Sequence, residues 1–350
     1  MIRIGIICPS EIALRRFMTA LVKNKEFVFS GVAVPKADEY FYDTNSDAHT
    51  RQSILNKEAE RAQEFADSYG GEIFHGYETI VTSESIDAIY IPLPPALHYK
   101  WGKRALESGK HVLLEKPATL ESTQTKELVE MASGHSLVLH ENYMFAFHNQ
   151  IEKINSVVKS GMLGDVRLHR ITFGFPRREA NDFRYNKQLG GGALYDAGGY
   201  TIKYASMLLN SSAKIVYANM NYIDEFDVDI YGSAAMIDDS GATVQVAFGM
   251  DNCYRCDLEI WGSNGLLTTG RILTAPDGFI PEAIVKSGNK EESIILPSDD
   301  AFGKSIEWFR QCIIDDKARE KCYTDIIHQA LLVDEFKQKS REMAYEATAK

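Results

Sequence analysis

Short β-rich hydrophobic runs alternate with helical segments over the first 145 residues. The runs are Ile2–Ile7, Phe27–Val34, Ala88–Ile91, His111–Leu114 and Ser136–His140. Helices are predicted between them at Glu11–Lys23, Lys57–Tyr69, Pro95–Ser108 and Leu120–Ser133, the third closed by Gly109 as a C-terminal cap. This alternation predicts an α/β domain with a parallel, doubly wound sheet and ligands at the carboxyl ends of its strands. The polar, turn-rich stretch Ala37–Asn56 interrupts it, with Tyr42-Asp43-Thr44-Asn45-Ser46-Asp47 at its centre. It is too long for an ordinary connection and reads as a surface insertion or as an excursion near a cofactor's adenosine end.

After His148 the pattern changes. Helices are predicted at Asn149–Ser160 and from about Gly192 to Leu209. Strands follow at Val166–Phe175, Lys214–Ile223, Asp229–Met236, Ala242–Gly249, Asp257–Trp261, Gly265–Arg271 and Ser293–Leu296. Consecutive strands without crossover helices predict an α+β domain with an open, mainly antiparallel sheet, covered on one face by helices. Closing helices are predicted near Phe302–Asp315 and Thr324–Glu346. The expected division is therefore 1–145 and 146–350, and 350 residues are enough for two cores.

Charge narrows the partners. A net charge of -11 argues against nucleic acid or an anionic membrane surface as the main partner. No apolar run approaches the length of a membrane span, and the chain opens directly on a strand without a signal-peptide layout, so a cytoplasmic protein is expected. Five cysteines (Cys8, Cys253, Cys256, Cys312, Cys322) form no disulfide framework. The lone pair Cys253 and Cys256 lies in a strand-like segment, where residues three apart face opposite ways, so no metal site is expected.

Four segments carry candidate chemistry. The first strand–turn–helix is where backbone N–H groups would hold a dinucleotide's pyrophosphate, yet Gly-x-Gly-x-x-Gly is replaced by Cys8-Pro9-Ser10-Glu11-Ile12-Ala13. Ser10 reads either as a plain N-cap or as a hydroxyl that also donates to a phosphate. At the end of the second strand Lys36 tilts the choice toward the 2′-phosphate of NADP, while Asp38 and Glu39 lie close enough to favour NAD. Glu115-Lys116-Pro117 follows the strand His111–Leu114, and a lysine there is expected to face the cofactor crevice as a candidate for acid–base chemistry. Pro117 suits a turn locked by a cis bond.

The segment Gly190–Tyr200 is the most specific. Three glycines open a helix and two more, Gly198 and Gly199, lie inside it, which suggests close approach by a ligand or another backbone. Asp196 and Tyr200, four apart, project from one helix face, a pairing that can orient a substrate hydroxyl and relay its proton. The alternative is a glycine-rich packing helix. Just before it, Arg177, Arg178, Arg184 and Lys187 stand against Glu179 and Asp182, either as a phosphate-holding positive spot or as a salt-bridged loop.

Together these segments resemble the glucose–fructose oxidoreductase / inositol dehydrogenase / MocA family along almost the whole chain. The likeness includes Ile89-Tyr90-Ile91-Pro92-Leu93-Pro94 with His98, Gly109–Val112, Glu115-Lys116-Pro117, Tyr143–Gln150, Gly190–Tyr200 and Leu258–Gly262. It implies a Rossmann domain, a C-terminal domain whose open sheet joins a homodimer or homotetramer, and hydride transfer between NAD or NADP and a carbon of a sugar or sugar derivative. It implies Lys116 as the active-site lysine, Asp196 as the substrate-orienting aspartate and Tyr200 as the proton-transfer residue. The cofactor residues it implies are Cys8, Pro9, Ser10, Glu11, Ile12, Lys36, Pro92, Pro94, His98, Glu115 and Lys116; the substrate residues are Asn142, Tyr143, Arg177, Arg184, Asp196 and Tyr200. The chain departs in having Tyr200 where many members carry histidine, Pro95 where asparagine is frequent, and the altered glycines. Nucleotide-linked sugars are the first substrate class suggested, with free sugars, inositols and trans-dihydrodiols open; the rival reading is a non-catalytic sensor or scaffold on the same fold.

Overall fold

The computed structural model describes residues 1–40 and 48–348, arranged in two compact units. The first comprises Met1–Thr119, Thr123–Asn142 and Ser305–Ile326; the second comprises Leu120–Ser122, Tyr143–Lys304 and Ile327–Lys350.

The first unit is built on six parallel strands: β1 (Ile2–Ile7), β2 (Phe27–Val34), β3 (Glu72–His75), β4 (Ala88–Ile91), β5 (His111–Leu114) and β6 (Leu139–Glu141). Their order is β3-β2-β1-β4-β5-β6, so the winding reverses between β1 and β4 and opens a crevice at their carboxyl ends. The four residues of β4 are all buried, as a strand covered on both faces requires. Four strands have the bounds read from sequence. The short edge strand β3 was not anticipated, and the last begins at Leu139 rather than Ser136.

Part of the predicted insertion is helical. Residues Ala37–Tyr40 form a short helix, and the following helix spans Ala48–Tyr69, nine residues more than the predicted start at Lys57 allows. The segment Tyr42–Asp47 lies outside the described residues. The helix after β1 contains a π-helical stretch, Ala13–Met18.

The second unit holds eight strands: β7 (Val166–Gly174), β8 (Lys214–Tyr222), β9 (Asp229–Ile237), β10 (Thr243–Gly249), β11 (Arg255–Gly262), β12 (Leu266–Thr269), β13 (Glu282–Ser287) and β14 (Lys290–Ile295). In the order β14-β13-β12-β11-β7-β10-β9-β8 only β7 and β10 run parallel. One face is apolar, with Ile230, Ala234, Val244, Val246, Leu258 and Ile260 buried. Cross-strand register puts Tyr217, Ala235, Gln245, Arg170 and Glu259 on the other face, which stays exposed. Strand β13 escaped the sequence reading. Cys253 sits exposed in the turn before β11, not in a strand, while Cys256 is buried on β11.

Candidate active site

In the first unit the predicted residues follow three strand ends. After β1, Cys8 adopts φ 79°, the left-handed conformation a glycine takes without penalty. Its buried thiol lies 3.5 Å from Glu58 Oε2, and burial together with the Glu58 charge holds the thiol well above its usual pKa. Ser10 Oγ accepts the Ala13 N–H at 3.2 Å, the N-cap geometry, and its hydroxyl hydrogen remains available. The N–H groups of Glu11 and Ile12 open the helix and have no intrahelical partner. The Glu11 carboxylate pairs along the helix with Arg15 at 2.8 Å. The turn therefore fits a pyrophosphate through backbone donors and one hydroxyl, without the two glycines.

At the end of β2 the balance between Lys36 and its acidic neighbours becomes concrete. Glu39 is buried and accepts the N–H groups of Lys36 (2.8 Å), Tyr77 (2.9 Å) and Glu78 (3.0 Å). A carboxylate committed to three backbone donors is not free to hold a ribose diol. Exposed Lys36 lies across Gly76, where a Cβ would meet its Cε at 2.9 Å.

After β4 and β5 the chain forms two turns tied by His98. Its side chain is fully buried, with Nδ1 2.7 Å from the Pro117 carbonyl and Nε2 2.7 Å from that of Leu93. Burial pushes its pKa down to about 4, against the pull of both carbonyls, so the neutral ring donates through one nitrogen. His98, expected at the cofactor, ties the Pro92-Leu93-Pro94 turn to the Lys116-Pro117 turn. The Lys116–Pro117 bond is cis, and Lys116 is half-buried. Glu115, expected beside the cofactor, is buried and accepts from Tyr90 Oη and Asn142 Nδ2, both at 2.7 Å. Burial pushes its carboxyl up, and those two donors pull it back. Asn142, expected at the substrate, is itself buried and accepts from Ser305 Oγ at 2.8 Å. Ser305 thereby donates, so His140 Nε2, 2.9 Å away, supplies a hydrogen to Ser305 and carries the proton of that ring. This continuous buried network fixes the floor behind Lys116.

In the second unit, Asp196 lies in a π-helical turn, Leu194–Gly198, that continues into the helix Gly199–Leu208 beginning just before Tyr200. Such turns occur frequently at functional sites. Arg184 Nε donates to Asp196 Oδ2 at 2.6 Å, both groups mostly shielded from solvent. The Tyr200 ring packs against Tyr143 (5.3 Å), Phe173 (5.5 Å) and Phe145 (5.7 Å). Tyr143 is buried, and its hydroxyl accepts from Gln329 Nε2 at 3.4 Å.

The glycines of this segment are explained within the chain. A Cβ at Gly191 would strike the Arg184 carbonyl, one at Gly192 the Asp229 carboxylate, one at Gly198 the Phe248 ring and one at Gly199 the Tyr143 hydroxyl. Asp229, which the sequence reading missed, is buried, accepts the Leu194 N–H at 2.7 Å, and has its carboxyl pushed by burial up to about 6. The basic segment is largely neutralised. Arg177 pairs with Glu225 (2.5 Å) and Asp251 (2.7 Å), Lys187 with Asp227 (3.2 Å), and Arg178 lies over the Phe175 ring.

A dinucleotide-type crevice with a lysine at a strand end in one unit, and a carboxylate and a phenol on one helical element of the other, are the features of an NAD(P)-dependent oxidoreductase. The chain belongs to the GFO/IDH/MocA family: residues 28–143 match the oxidoreductase family, NAD-binding Rossmann fold, and residues 151–268 match the GFO/IDH/MocA C-terminal domain. It is 32% identical to the dTDP-3,4-didehydro-2,6-dideoxy-alpha-D-glucose 3-reductase of Actinomadura kijaniata, over 98% of this chain and 97% of that one. The enzyme of that name from Streptomyces violaceoruber is 34% identical, over 96% and 95%. A crystal structure of a 3-ketoreductase from Actinomadura kijaniata, in complex with NADP and TDP-benzene, matches with a TM-score of 0.87 at 32% identity, over 97% of both chains.

Proposed function

We propose that this protein uses NADPH to reduce the keto carbon of a sugar linked to thymidine diphosphate. The reading is carried by the match along nearly the full chain to reductases of dTDP-linked ketosugars and to a 3-ketoreductase solved with NADP and TDP-benzene together. The committed Glu39 carboxylate and the exposed Lys36 support NADPH over NADH. The cofactor half is assigned to 1–145 and the substrate-binding and oligomerisation half to 146–350.

When bound, the cofactor supplies hydride to the carbonyl carbon. Backbone N–H groups at Glu11 and Ile12 and the Ser10 hydroxyl hold its pyrophosphate, with Cys8 and Pro9 shaping the turn. Pro92 and Pro94 line the neighbouring strand end. As hydride arrives, the Tyr200 phenol gives its proton to the carbonyl oxygen and recovers one from solvent, with Lys116 stabilising the negative charge that develops there. Asp196, held by Arg184, accepts a hydrogen bond from a neighbouring sugar hydroxyl. Asn142 holds Glu115 next to Lys116, Tyr143 packs against the Tyr200 ring, and Arg177 is assigned to substrate binding. The Actinomadura 3-ketoreductase has been solved as lysine and tyrosine variants whose separation along the chain equals that of Lys116 and Tyr200, which supports both roles.

The open face of the eight-stranded sheet supports a homodimer or homotetramer. Tyr217, Tyr231 and Trp261 stand exposed there around a polar row of Arg170, Gln245 and Glu259. Among the described residues no helix is long and apolar enough to cross a membrane, and we assign the enzyme to the cytoplasm. The test of function is NADPH oxidation by the purified protein with a TDP-linked 3-ketosugar and with the same sugar unlinked. The linked substrate is expected to have a kcat/KM higher by orders of magnitude. Equal values would remove the nucleotide from recognition, and no oxidation of NADPH with either would overturn the reading.

A further inference from the structure

We infer that Asp229 is a positioning residue for the reaction: from the start of β9 its carboxylate fastens the first turn of the helix that presents Asp196 and Tyr200. The inference rests on the proposed roles of those two residues.

A helix start needs an acceptor for its first N–H groups. Locally there is none, because the N-cap position is Ala193, which has no side-chain acceptor. The acceptor comes from 35 residues away: the Leu194 N–H donates to Asp229 Oδ2 at 2.7 Å. The carboxylate also sits where the positive end of the helix dipole favours a negative charge. Room for it exists only because residue 192 is glycine, at φ 120° and with a would-be Cβ directly on the Asp229 carboxylate. The Gly192 N–H is meanwhile fixed to the Arg184 carbonyl at 2.9 Å, and Arg184 in turn grips Asp196. Asp196 thus has one hold on its side chain and another on the turn beneath it. Further along, Gly198 and Gly199 let the helix settle on Phe248 and Tyr143, so a shift of the first turn is carried to Tyr200 rather than absorbed by slack.

The test is a double-mutant cycle on the full-length protein: Asp229→Ala, Tyr200→Phe and both together, measured for kcat, KM, NADPH affinity and thermal midpoint. Asp229→Ala is expected to lower kcat about ten- to hundredfold, the scale on which a misplaced catalytic group acts. NADPH affinity should be unchanged, and Asp229→Asn, whose amide oxygen still accepts from Leu194, should restore most of the rate. In the Tyr200→Phe background, Asp229→Ala should change the residual kcat by less than about twofold, because residues acting as a unit are not additive. If Asp229→Ala does not fold, Asp229→Glu, which keeps the charge but displaces it, is put through the same cycle. Wild-type kcat in the folded variant, or the same fold-loss with and without Tyr200, would overturn the inference. Wild-type turnover in Tyr200→Phe alone would overturn instead the reading of the site on which it rests.

Discussion

Lys116 follows β5 directly, with Glu115 anchored to Tyr90 and Asn142 on one side and the Pro117 carbonyl tied to His98 on the other. These contacts fix the backbone on both sides of the lysine, which suits the catalytic role proposed for it. Lys116→Ala is expected to lower kcat roughly 10²- to 10⁴-fold, the range of general acid–base contributions, while the unfolding midpoint stays close to wild type. Near-normal turnover would remove the lysine from the mechanism. Lys36 acts on a different quantity: Lys36→Glu should weaken NADPH binding and leave NADH binding nearly unchanged, read by fluorescence titration of both. Parallel losses would mean that Lys36 does not meet the 2′-phosphate. Away from the site, the Tyr204 hydroxyl is fully buried and has no hydrogen-bond partner among the described residues. Tyr204→Phe removes an unsatisfied donor at nearly constant shape and should raise stability by about 1 kcal/mol in denaturant unfolding.

The element that carries Asp196 and Tyr200 brings its own pH dependence. Burial raises the Asp229 carboxyl from 3.8 to about 6, so between those values the folded state binds the proton that the unfolded state has released. The stability this contributes is fully present below about pH 4 and is lost as pH rises through 6, on the order of 2–3 kcal/mol. Relative to Asp229→Asn, which cannot titrate, the wild type should therefore lose stability between pH 4 and 7 in urea unfolding. Parallel curves for the two proteins would contradict the burial argument. This element also shows where the sequence was readable. Gly190–Tyr200 announces close approach, because glycines inside a helix are costly, and the four-residue spacing of Asp196 and Tyr200 is what suggests that they act together. What approaches the glycines was not readable: Arg184, Asp229, Phe248 and Tyr143 come from elsewhere in the chain, and Asp229 looks like any residue opening a strand. For the basic segment both readings stayed open in the sequence, because the ion-pair partners Glu225, Asp227 and Asp251 are distant along the chain. His98 and Glu39 carry no local mark of the backbone groups they hold.

For the whole molecule, two domains, a doubly wound parallel sheet and an open antiparallel one follow from the alternation of hydrophobic runs with helices. Where the reading slipped, the signal was weak. Strand β3 has only four residues, two of them polar, and the helix Ala48–Tyr69 starts in a stretch whose composition suits a turn. The division of the closing helix, with residues up to Ile326 in the first unit and those from Ile327 in the second, has no counterpart in its regular pattern. At this scale the exposed sheet face makes a separate prediction. If the proposed oligomer forms through this face, the wild type should exceed the monomer mass in light scattering and Trp261→Glu with Tyr217→Glu should bring it to the monomer mass. An oligomeric mass unchanged by the two substitutions would place the interface elsewhere, and a monomeric wild type would remove the oligomer. The central claim is hydride transfer from NADPH to a nucleotide-linked ketosugar, and the most direct measurement follows the label. The purified enzyme is given NADPH deuterated at C4 of the nicotinamide, each epimer in turn, with a TDP-linked 3-ketosugar, and the product sugar is analysed by NMR. One epimer should deliver deuterium to the former carbonyl carbon and the other none; a reduced sugar without label from either, or no reduced sugar at all, would contradict the account.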